Sequence, residues 1–186
     1  MTGFTSPSFE KQFPTGLKGI PPTLDVSIRR GNEIVAIESK FLEYFSAKKA
    51  EFRPVYSSKS LTWAKTSWQM VFEDAKRAGK RHLDVAQLVK HYLGISRLLN
   101  KGDLSGWKPS KATLLYLFWE PEDAEKIAVC LQHREELQEL ASLVKDSDVD
   151  FIFLSYRDLW KEWETNPKIK PHILNLQSRY SIKVES

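Results

Sequence analysis

The sequence predicts an α/β domain, a mixed central sheet flanked by helices. Three observations carry this expectation. A Gly31-Asn32 pair separates two runs rich in Val and Ile, Leu24–Arg30 and Glu33–Phe41, which is the pattern of a β-hairpin. Ala112–Trp119 is almost continuously apolar, as suits a strand buried on both faces. Finally, the order hairpin, two helices, strand, long helix, strand is best accommodated by a mixed sheet.

The elements follow in chain order. Residues 1–22 hold Pro7, Pro14, Pro21 and Pro22 with Gly3, Gly16 and Gly19, and read as an irregular arm with one short turn around Ser8–Phe13. After the hairpin, residues 42–60 read as a loop carrying Lys48-Lys49 and Arg53-Pro54. Trp68, Val71, Phe72 and Ala75 recur at helical spacing and predict a helix over 66–78, with Gly79 as its stop. Lys80-Arg81-His82 is a basic connector. Asp84 caps a second helix over 85–99, whose apolar stripe is Val85, Leu88, Val89, Tyr92 and Leu99. Residues 100–110 form a loop before the strand Ala112–Trp119. Pro121 suits the first turn of a long helix over 121–145. Asp146-Ser147-Asp148 is a turn, Asp150–Tyr156 a buried strand, and Tyr156–Trp163 a short helix ending before Pro167. The chain thus divides into an arm (1–22), an α/β domain (23–165) and a tail (166–186) with no assigned element.

Composition excludes several classes. The chain has 186 residues, a length that fits one domain. A formal net charge of +4 permits a polyanionic partner without requiring one. A single cysteine rules out an internal disulfide, and with four histidines it leaves no Cys-rich zinc module. No apolar run approaches the roughly 20 residues of a membrane span, and the N-terminus lacks the basic start and apolar core of a signal peptide. The expectation is a cytoplasmic protein with no membrane partner. There is no Gly-rich phosphate loop and no convincing Ser-His-Asp arrangement.

The hairpin carries the sharpest chemical signal. With Gly31-Asn32 at the turn, Arg30 pairs with Glu33, Ser27 faces Ala36, and Asp25 faces Glu38. Directly opposed residues have Cβ atoms about 4.5–5.5 Å apart. Lys40 projects from the same face as Glu38. Two opposed carboxylates repel unless they are solvated, one is protonated, or a cation sits between them. A solvated hairpin face with a surface ion pair accounts for the same spacing. The unbroken apolar run Ile34–Ile37 instead suggests a buried strand with its charges at the end. A hard divalent cation such as Mg²⁺ suits such a pair, with water and phosphate completing its shell. Lys40 beside it could stabilise developing negative charge.

Residues 21–41, from Pro21-Pro22 through Asp25 to Ile37-Glu38-Ser39-Lys40-Phe41, resemble the core hairpin of the PD-(D/E)xK nuclease superfamily, the restriction-endonuclease-like fold. The likeness is strongest to bacterial restriction endonucleases in which an Asp strand precedes Ile-Glu-Ser-Lys. The resemblance implies DNA as substrate. Asp25 and Glu38 would ligate Mg²⁺, with Mn²⁺ as a substitute, and the Ser39 carbonyl would complete the set. Lys40 would be the catalytic lysine. Gln87, on the helix after the hairpin, would position phosphate or water. Gln87, Lys90, His91 and Gly94 share one helical face opposite the apolar stripe. For His91 alone the solvent face is the plainer reading, and Gly94 suggests a close backbone approach. A homodimer would supply the two sites that double-strand cutting needs.

Three departures stand beside the resemblance. Pro22 lies three residues before Asp25 rather than next to it. Many relatives carry an acidic residue on a helix ahead of the hairpin, for which Glu10 is the lone early candidate here. His91 stands where some relatives have Tyr. The alternative reading is a non-catalytic DNA-binding or subunit-interaction module that retains the nuclease fold. A blander one is a structural domain with no nucleic acid partner.

Among the remaining signals, Lys48-Lys49, Lys76-Arg77 and Lys80-Arg81-His82 would bind phosphates if they flank the carboxylates. Trp68, Trp119 and Trp160 read as core, and Trp107 as a candidate for base contact. The acidic residues of the 121–145 helix would repel DNA and belong on the back of the domain or in a protein interface. Cys130 reads as a small buried residue.

Overall fold

The computed structural model describes residues 6–184. Five strands, β1 (Ser8–Gln12), β2 (Thr23–Arg30), β3 (Glu33–Lys40), β4 (Lys111–Phe118) and β5 (Asp150–Ser155), form one sheet in the order β1-β2-β3-β4-β5. The first three run antiparallel, whereas β4 and β5 add in parallel. Five helices accompany the sheet: α1 (Thr66–Arg77), α2 (Val85–Lys101), α3 (Ala128–Val144), α4 (Tyr156–Glu164) and α5 (Lys170–Tyr180). This is the mixed α/β architecture of a restriction-endonuclease-like domain.

The hairpin register is the expected one. Arg30 pairs with Glu33 and Ser27 with Ala36. Gly31 takes φ +56° at the turn, a conformation that a two-residue hairpin connection demands and that glycine adopts without strain.

Three elements differ from expectation. Ser8–Gln12 is a strand rather than part of an irregular arm. It lies on the sheet edge with Phe9 exposed, so burial imposes no apolar pattern that would have marked it. The long helix begins at Ala128, not at Pro121, because residues 124–126 form a separate 3₁₀ turn. Within the tail, Lys170–Tyr180 is a helix that buries Ile173 against Trp119 and Trp160.

The main core lies on one side of the sheet. Ile34 and Ala36 of β3, Ala112, Leu114, Tyr116 and Phe118 of β4, and Phe151 and Phe153 of β5 meet α1, α2 and α3 there. Trp68 stacks on Tyr92 with ring centroids 4.4 Å apart. The opposite side carries Val26, Ile28, Val35, Ile37, Leu115 and Leu154, which belong to none of the apolar clusters among the described residues. Trp68, Trp119 and Trp160 are core residues and Cys130 is buried, as expected.

Helix α2 is the central packing element. Its N-cap Asp84 accepts the Gln87 amide at 2.9 Å. Gly94 faces the Phe13 carbonyl so closely that a Cβ there would lie 2.3 Å from the oxygen. The close approach suggested by Gly94 is therefore real, and the backbone it meets is the segment after β1.

Candidate active site

The β2–β3 ladder runs from Arg30↔Glu33 to Val26↔Ile37. Past that point the Asp25 side chain enters. Its Oδ2 accepts the Ser39 amide at 2.7 Å. The Trp119 amide donates to the Lys40 carbonyl at 2.9 Å, so the polar groups of Lys40 point toward β4. Backbone direction alternates along a strand, so both the amide and the carbonyl of Ser39 point toward β2. Asp25 thus takes the place of a ladder acceptor at the end of the hairpin. The Ser39 hydroxyl and the Tyr156 hydroxyl, 2.8 Å apart, tie the same strand end to α4.

Glu38 is 2% exposed, and its environment is built to hold a charge. Its Oε1 accepts from Lys40 Nζ at 2.5 Å and from Gln87 Nε2 at 2.8 Å. Its Oε2 lies 3.0 Å from His91 Nε2, without the direction of a hydrogen bond. Gln87 and His91 are four apart on α2, so one helical turn delivers both to the same carboxylate. Burial pushes the Glu38 carboxyl upward, but His91 and Lys40 outweigh it and hold the group below its ordinary value of 4.5. Asp25 moves the other way. Burial, joined by the Glu38 charge, raises its carboxyl above 3.8 despite the Ser39 amide and Lys40.

These contacts correct the expectation for His91. It is 1% exposed and touches Glu38 rather than solvent. The face of α2 opposite its apolar stripe is applied to the end of β3. Only Lys90 on that face reaches outward, toward the Glu51 carbonyl and the Phe52 ring. Asp25, Glu38, Ser39, Lys40 and Gln87 do come together. Glu10 falls between the paired positions Phe9↔Val26 and Lys11↔Leu24, level with Asp25, but it is exposed and takes φ +49°.

The oxygen donors suit a hard divalent cation. Asp25 and Glu38 supply carboxylates, the Ser39 carbonyl faces the opened edge, and Glu38 Oε2 is a buried acceptor with no hydrogen bond. Among the described residues no group of three or more His, Cys, Asp or Glu is placed to hold a metal. Two carboxylates and a carbonyl are therefore what the protein offers, leaving most of the shell to water and phosphate, as Mg²⁺ prefers.

Around the site, Lys40, Glu43, Tyr44, Lys48, His82, Asp84, Gln87 and Tyr116 line a small cavity of about 70 Å³. Lys48 and His82 therefore share a cavity with Lys40 and Gln87, the two residues that bond Glu38, while Arg81 is engaged by Glu139 and Asp74. Trp107 is not a free platform, because Arg29 covers its ring at 3.9 Å and Asp103 holds Arg29. The acidic helix contributes Glu136, whose Oε2 accepts the Leu83 amide at 2.7 Å. Sequence reasoning missed His91 as a partner of Glu38. The only signal available was its four-residue spacing from Gln87.

The family model described as Restriction Endonuclease associating with ARP matches residues 3–181, nearly the whole chain. No match is found among curated proteins or among solved structures.

Proposed function

From the premise that this chain belongs to the family of restriction endonucleases associating with ARP, we propose that it hydrolyses DNA phosphodiester bonds at the Asp25–Glu38–Lys40 site with Mg²⁺. One observation carries the reading. Glu38 is a buried carboxylate kept ionised by Lys40, Gln87 and His91 at the point where Asp25 opens the hairpin. A buried charge is costly unless it is paired, and an arrangement with so many donors on one acid is expensive as mere scaffold.

Asp25, Glu38 and the Ser39 carbonyl would hold the ion. When bound, it would polarise a phosphoryl oxygen and make a water more acidic. Lys40 brings a positive charge to the same point and stabilises the negative charge that develops on the phosphate. Gln87 spends one amide hydrogen on Glu38, and its remaining amide groups can orient phosphate or water. His91 holds Glu38 in place from behind. Lys48 and His82 beside the cavity meet the strand backbone.

The test is plasmid cleavage in Mg²⁺ and in Mn²⁺, with Lys40→Ala purified in parallel. Metal-dependent cleavage by the wild type and none by the variant is the expected result. Equal cleavage by both would sink the assignment.

A second reading, a subunit-interaction module, is favoured by the sheet side carrying Val26, Val35, Ile37 and Leu115 outside the apolar clusters. The family description has its members associating with ARP, and we propose a protein partner, or a second copy of the chain, for this one. Sedimentation of the purified chain separates a homodimer from a monomer that needs another partner.

A further inference from the structure

We infer that a cleft beside the C-terminal half of α2 is a nucleotide subsite, which binds one phosphate and its adjoining base on a nucleic acid strand away from the scissile bond. Thr15, Gly16, Trp63, Arg97, Asn100 and Lys101 line this cavity of about 600 Å³, within the range of small-ligand sites. None of the six is acidic, so an anion entering the cleft meets two cations and no carboxylate.

Arg97 is the centre of the argument. Arg29, Arg81, Arg134 and Arg157 each meet a carboxylate, whereas Arg97 has no ion pair or hydrogen bond among the described residues. Its outer end lies against the loop that carries Gly16. Gly16 takes φ +83°, and a Cβ there would lie 2.7 Å from Arg97 Nε. The loop backbone thus closes onto the guanidinium at a position that only glycine allows. Lys101, four residues on, projects from the same helical face.

Trp63 supplies the second half of the chemistry. It is 41% exposed and makes no ring contact among the described residues, whereas Trp68, Trp107, Trp119 and Trp160 each pack against another ring or a cation. A guanidinium fork matches two phosphate oxygens, and an exposed indole matches the face of a base. Asn100 Nδ2 donates to the Ser96 carbonyl, which leaves its Oδ1 as a polar contact for sugar or base edge. Ten residues of α2 separate Arg97 from Gln87, about 15 Å along the helix axis. A separation of that order places the cleft away from the scissile bond, a few nucleotide steps off for a strand that follows α2. Placing this ligand on the substrate strand rests on the nuclease reading.

The experiment is fluorescence anisotropy with labelled single-stranded and duplex oligonucleotides in EDTA, as a function of salt. Wild type, Arg97→Ala and Trp63→Leu are compared, each first matched to the wild type by thermal melting. Each variant is expected to bind the oligonucleotide about tenfold more weakly. Arg97→Ala should also reduce the log–log salt slope by about one, and Trp63→Leu should leave it unchanged. Affinity and slope unchanged in both variants would overturn the subsite. Titration with dAMP separates the source. Tight dAMP binding lost in Arg97→Ala, with oligonucleotide affinity unaltered, assigns the cleft to a free nucleotide and overturns its place on the strand. If the losses appear but the wild type cleaves nothing in Mg²⁺, the nuclease reading fails and the subsite stands. If the wild type cleaves and both variants keep its KM and affinity, the subsite fails and the nuclease reading stands.

Discussion

The two halves of α2 treat charge in opposite ways. The N-terminal half sends Gln87 and His91 onto Glu38, where Lys40 joins them; Glu38 and His91 are buried, while Lys40 and Gln87 line a small cavity. The C-terminal half presents Arg97 and Lys101 to an open cleft beside an unstacked Trp63. Between them, Gly94 rests against the Phe13 carbonyl. The difference teaches how to read each cluster. A charge removed from water needs its partners inside the protein. A charge at a cleft wall can wait for a partner from outside, because water serves meanwhile.

The comparison can be broken most forcefully at the closed half. Glu38→Ala is expected to lower metal-dependent cleavage by about a thousandfold. It should also cost about 3–5 kcal/mol of stability, because Lys40 and Gln87 lose their shared acceptor and His91 the carboxylate beside it. Plasmid cleavage and urea unfolding read the two effects, and a variant that still cleaves would end the catalytic reading. Next comes the divider. Gly94→Ala should destabilise by about 1–3 kcal/mol through overpacking against the Phe13 carbonyl, as measured by urea midpoint. An unchanged midpoint would mean that the segment after β1 yields freely. A smaller effect is expected at the cap. Asp84→Ala should cost about 1 kcal/mol and lower cleavage, since it frees the helix turn that carries Gln87.

The smallest effect is in pH, because two shifts of opposite sign offset each other in the metal-free protein. Glu38 is depressed below 4.5, so its stabilisation is complete above that pH and is lost as pH falls through the folded value. Asp25 is raised above 3.8, so the folded state keeps its proton longer. Stability therefore declines as pH rises from 3.8 through the folded value. In EDTA at neutral pH, Asp25→Asn should accordingly unfold at higher urea than the wild type, and Glu38→Gln at lower urea. The reverse order would show that the two carboxylates are not environmentally distinct.

Much of the closed half was legible in residues 21–41. A two-residue Gly31-Asn32 turn dictates pairing, and a period of two then puts Asp25, Glu38 and Lys40 together. The strand β1 was not legible, since an exposed edge leaves little pattern in five residues. His91 was not legible because a histidine opposite an apolar stripe looks the same whether it meets water or a carboxylate. The choice depends on a strand end 49 to 53 residues earlier in the chain, where Glu38 projects. Glu136 was equally hidden. On an acidic helix it reads as part of a face turned away from DNA, yet it accepts the Leu83 amide in the interior.

By itself the sequence determined the hairpin, its register and the grouping of two carboxylates with a lysine. Those follow from turn geometry and strand alternation within about twenty residues, where local dihedrals decide position. Tertiary structure alone decided which side of α2 met the sheet, and with it the burial of Glu38. It also assembled the cleft from Gly16, Trp63 and Arg97, three segments far apart in the chain. Such convergence comes from long-range packing around one helix, and no local periodicity encodes it.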